Sequence, residues 1–67
     1  MLSDNEVWVS AVAMVRRYGR DAALQAGMRI EVFAAEGERD AQRAWLRIGH
    51  AIAWLQDEQR PRSASAH

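Results

Sequence analysis

An all-α fold, arranged as a compact three-helix bundle with short antiparallel connections and a disordered C-terminal tail, is what three features of this 67-residue chain predict. Apolar residues, β-branched ones included, recur at helical spacing and nowhere alternate as they would along a half-buried strand. Helix-ending residues stand at Gly19, Gly37 and Pro61. The stretches between them are long enough for about four to six turns each.

The first helix opens on LSDNEV. Ser3 as N-cap with Glu6 three residues on is a capping box, and Leu2 with Val7 can staple the start of the helix. The pattern predicts a helix from Asp4 to Tyr18 with Gly19 as its C′ residue. On a helical wheel Val7, Trp8, Ala11, Val12, Met14, Val15 and Tyr18 fall in one arc, which is the expected core face.

The second helix is expected to start near Asp21, as cap and dipole partner, and to end near Glu36 with Gly37 next. Its wheel is apolar on two sides. One side carries Ala22, Ala26, Ile30 and Phe33; the other carries Leu24, Met28, Val32 and Ala35. A helix of that kind is either central to its domain or half of an interface. Gly27 sits mid-helix, as does Gly49 in the third, each costing about 1 kcal/mol relative to alanine, and close approach of a neighbour is the expected reason.

The third helix is expected from Arg39 to Gln59 and stops before Pro61. Trp45, Ile48, Ile52 and Leu55 form its core face, while Leu46, His50, Ala53 and Trp54 point elsewhere. Trp45 and Trp54 are nine positions apart, which places them on opposite sides of the helix. The expected core therefore holds Trp8, Val12, Val15, Ile30, Phe33, Trp45, Ile48, Ile52 and Leu55. Residues 1–60 form the helical domain, and RPRSASAH has no periodicity, so 61–67 reads as a disordered tail.

The segments SDNEVW (3–8), YGRDA (18–22), RI (29–30), AEGE (35–38), WLRI (45–48) and AIxxL (51–55) resemble those of a domain-of-unknown-function family of small, uncharacterised bacterial proteins. The likeness runs over about residues 2 to 55. Members tend to have Gly-Asp where this chain has Gly37-Glu38. The motifs are caps and core positions, so the resemblance implies an all-helical single domain and no activity.

Composition narrows the function. Nine basic residues, all arginine, balance nine acidic ones, so no net field points to nucleic acid or an anionic membrane. Without cysteine there is neither a disulfide nor a Cys-based zinc site. VWVSAVAMV (7–15) follows acidic residues rather than a basic leader and is too short to span a bilayer, so a cytoplasmic location without membrane attachment is expected. No serine has a base held beside it, and His50 has Leu46 and Trp54 as its helical neighbours. No catalytic, cofactor or metal site is therefore expected.

What remains is interaction. A non-enzymatic protein–protein interaction module is expected, a homodimeric small adaptor or regulator that binds itself and an unidentified protein. Its contact surface is assigned to Leu24, Met28 and Val32 on the second helix and to Leu46, His50 and Trp54 on the third, since exposed Trp and Met at helical spacing mark interfaces. The alternatives are a nucleic-acid-associated regulator using Arg39, Arg43 and Arg47, spaced i, i+4, i+8, or a mobile-element-encoded inhibitor of a larger protein. The nucleic-acid reading ranks lower because Glu36, Glu38 and Asp40 crowd one end of the stripe and the net charge is zero.

Overall fold

Ser3 starts the first helix, α1 (Asp4–Tyr18), by the expected reciprocal bonds. The Glu6 amide donates to Ser3 Oγ at 3.1 Å, and the Ser3 amide donates to Glu6 Oε1 at 2.8 Å. These contacts hold the Glu6 carboxyl below the usual glutamate range, because they favour its charged form. Leu2 and Val7, the staple pair, both lie against the core.

In this computed structural model, which describes residues 2–59, a 3₁₀ turn (Gly19–Asp21) leads into α2 (Ala22–Ala35), and α3 (Arg39–Gln59) follows a short turn. About 91% of the described residues are helical, and none is in a strand. The all-α class holds, but the compact three-helix bundle does not. Gly19 has φ 56° and ψ −126°, yet its amide still donates to Val15 O, and the Ala22 amide donates to Gly19 O. The chain therefore folds back at Gly19 with helical bonds on either side of it. Residues 4–35 form one helical arm folded at Gly19, and α3 is the second.

The break after α2 is different. The Glu38 amide donates to Phe33 O at 2.9 Å and the Gly37 amide to Ala34 O at 3.2 Å. With Gly37 at φ 74°, this is the paired bonding of a Schellman ending, and the helix stops outright. Asp21 makes no side-chain cap, contrary to expectation, because the 3₁₀ turn already supplies helical partners there.

Arg47 reaches Leu2 and Asp4 while Gln56 Nε2 donates to Gly19 O at 3.0 Å, so α1 and α3 run in the same direction. α2 runs back along α3, with Arg29 over Trp45 and Gly49 beside Ala26 and Ile30. α1 and α2 contact each other far less than either contacts α3, which is the hub.

The buried core is built largely from small residues: Ala11, Ala22, Ala26 and Ala51 are buried, with Val7, Met14, Ile48 and Ile52. Ile52 is the largest side chain that is fully buried. Val15, Trp45 and Leu55 pack against this core, and Ile30 and Phe33 are half-buried. Trp8 and Val12, expected in the core, are exposed. The wheel gave α1 a wide apolar arc, but α3 covers only one side of it, the Val7, Ala11 and Met14 line, and Trp8 and Val12 stand at the other.

The close-approach reason for the mid-helix glycines also fails. A Cβ at Gly27 would meet nothing within 4 Å, and one at Gly49 would make only ordinary contacts at 3.9 Å with Ala26 and Ile30. The expected tail, 61–67, and the Pro61 stop lie outside the described residues.

Candidate interaction surfaces

α2 presents its packed side to α3 and leaves the other bare. Leu24, Met28 and Val32 are 62, 51 and 52% exposed. Steps of four advance the residue direction by roughly 40°, so the three make a single inclined ridge rather than scattered apolar points. Ala35 extends the same exposed side.

The second apolar surface forms where α1 crosses α3. Trp45 and Trp54 do lie on opposite sides of α3, but both are covered in part by the chain itself. Because the hub has a helix on each flank, opposite sides of it both find neighbours. Trp45 turns toward α2, where the Arg29 guanidinium sits 5.0 Å from its ring centre. Trp54 turns toward α1 and meets Trp8 edge to face, with centroids 5.4 Å apart and planes at 78°. The pair remains 40% exposed at Trp8 and 55% at Trp54. His50, Arg47 and Asp4 border the open groove of about 300 Å³ beside the two indoles. Val9, Val12 and Leu46 are exposed as well.

The arginine stripe is divided. Arg47 Nη1 donates to Leu2 O and Nη2 to Asp4 Oδ1, each at 2.6 Å, so this guanidinium clamps the start of α1 to the middle of α3. Such charge-assisted bonds to a carbonyl and a carboxylate are among the stronger ones a side chain makes. Arg39 and Arg43 remain exposed.

One cluster was not visible in the sequence. Arg29 Nη1 donates to Gln25 O at 3.2 Å and to Gln25 Oε1 at 3.3 Å, and Nη2 makes a long contact to Tyr18 Oη at 3.4 Å. The same guanidinium lies 5.7 Å from the Tyr18 ring centre and 5.0 Å from that of Trp45. A half-buried cation is thus held by aromatic faces and carbonyl oxygen, tying the end of α1 to both other helices. The Tyr18 hydroxyl is held below the usual tyrosine range, first by the Arg29 contact and then by the nearby Arg17 charge. The only available sequence signal was the proximity of Arg29 to a polar flank of the α2 wheel, which does not distinguish a solvated arginine from a buried one.

No group of His, Cys, Asp and Glu with metal-binding geometry occurs among the described residues, and no described helix is long and apolar enough to cross a membrane. No protein-family model matches the chain, and neither a curated protein nor a solved structure does.

Proposed function

We propose that this chain is a non-enzymatic protein-interaction module, a small cytoplasmic adaptor or regulator that associates with itself. The observation that carries the reading is the Leu24, Met28 and Val32 ridge, half or more exposed on a helix whose opposite side packs on α3. Three large apolar side chains in a row are what an interface centre contains.

The magnitude sets the expected strength. Covering the remaining half of each side chain is worth roughly 1 kcal/mol, so a symmetric contact gains roughly 5–9 kcal/mol. Against an association cost of at least about 4 kcal/mol, at most about 5 kcal/mol remains, which supports a weak dimer with a Kd of a few tenths of a millimolar or above, unless a further partner adds area. The half-exposed Trp8–Trp54 groove is a second face, on the other side of α3 from α2, that supports engagement of another protein while α2 is occupied. An inhibitor of a larger complex would use the same faces.

The nucleic-acid alternative draws less support, since Arg47 is engaged with Asp4 and only Arg39 and Arg43 of the stripe face solvent. Sedimentation equilibrium from micromolar to millimolar concentration tests the reading. Reversible self-association that Met28→Glu weakens is expected. A monomer at every concentration would remove the homodimer from the proposal.

A further inference from the structure

We propose that α2 pairs with α2 of a second copy in an antiparallel, two-fold arrangement centred on Met28. This rests on the self-association proposed above and names the face and register that produce it. Five residues at steps of four carry the inference: Arg20, Leu24, Met28, Val32 and Glu36. All five are exposed. Along the ridge they read cation, three apolar side chains, anion. The Arg20 and Glu36 side chains have no ion-pair or hydrogen-bond partner among the described residues.

A ridge with opposite charges at its two ends complements itself only when reversed. Turning a second copy by a half-rotation about an axis through Met28 sets Leu24 against Val32 of the second copy, and Arg20 against its Glu36. Parallel pairing in register would instead oppose arginine to arginine and glutamate to glutamate. The inclined i±4 ridges of two helices interdigitate at a crossing angle near −50°, the commonest packing of helix pairs. Arg20, in the 3₁₀ turn that leads into α2, and Glu36, the residue that caps its end, then stand at the two ends of the contact, at the wet rim where long charged side chains reach across. The apolar centre would supply affinity, and the rim charges would select direction and register.

Charge reversal reads the direction. Arg20→Glu or Glu36→Arg alone sets like charges together at both ends of the symmetric dimer, and each should weaken self-association roughly tenfold. The two variants mixed, or both changes in one chain, restore opposite charges at both ends and should recover the wild-type constant. Both positions are exposed, so circular dichroism of each variant should match the parent. Position is read separately: the chain has no native cysteine. Met28→Cys should oxidise rapidly to a linked dimer, whereas Asp57→Cys, exposed at the end of α3, should not. If the wild type associates but ignores both charge reversals and Met28→Cys does not link, the register is wrong and self-association stands. If neither single reversal weakens association and the two variants mixed associate more tightly than the wild type, the pairing is parallel and the proposal falls. A wild type that never associates overturns both.

Discussion

The contact between Trp8 and Trp54 can be weighed by a double-mutant cycle. With 40 and 55% exposure, the two indoles cover roughly 150 and 110 Å² of side chains that present about 250 Å² each. At about 25 cal/mol per Å², reduced for a compact unfolded state and for the methyl that alanine retains, Trp8→Ala should cost about 2–3 kcal/mol. Trp54→Ala should cost about 1.5–2 kcal/mol by the same reasoning. An edge-to-face pair adds about 0.5–1.5 kcal/mol that neither partner has alone, so the double variant should lose less than the sum of the singles by that amount. A helical domain of this size holds about 3–5 kcal/mol in all, so each single variant should still fold while the double, losing about 2–4.5 kcal/mol, should sit at the edge of unfolding near room temperature. Thermal and urea melts followed by circular dichroism at one low protein concentration measure the terms, with Trp54→Ala lowering the melting point by roughly 10 °C. Additive losses, or a Trp54→Ala variant that melts with the parent, would refute the view that the second indole of α3 is anchored on α1.

Gly49→Ala should raise stability by about 1 kcal/mol, read as a higher urea midpoint, since its methyl meets Ala26 and Ile30 only at ordinary distance. Gly37→Ala should do the reverse by about 1–2 kcal/mol, because φ is 74° there. Arg47→Ala should free the start of α1, seen as faster amide exchange at Val7 and Trp8, at a cost of about 1 kcal/mol given the exposure of Asp4. The Glu6 carboxyl, lowered by its bonds to Ser3, adds stability that is complete above the unfolded glutamate value and lost as pH falls through the lower folded one. Acid should therefore fray the first turn of α1 in nuclear magnetic resonance spectra, and Ser3→Ala should abolish that pH-dependent step.

Sequence alone determined the elements of this protein. Caps and breakers act through bonds between residues three to five apart, so Ser3 with Glu6, Gly37 before Arg39, and the spans of α1 and α3 were legible without tertiary information. The Leu24, Met28 and Val32 stripe was legible as a second apolar side of α2, because a wheel is a property of one helix, whereas its exposure follows from α3 covering the other side. Tertiary structure decided which apolar residues were covered. Burial depends on how far the neighbouring helix extends around each wheel, and no local rule contains that distance. α3 shields one edge of the α1 arc and leaves Trp8 and Val12 at the other, while the alanines that let the helices approach make up half the buried core. The same arrangement explains Trp54: a wheel can place two indoles on opposite sides of α3, but only the placement of α1 on one flank and α2 on the other gives each of them a neighbour. Arg47 and Arg29 follow suit, since a guanidinium reaching a residue 43 positions away, or lying between two rings from different helices, is created by the fold rather than by its neighbours in sequence.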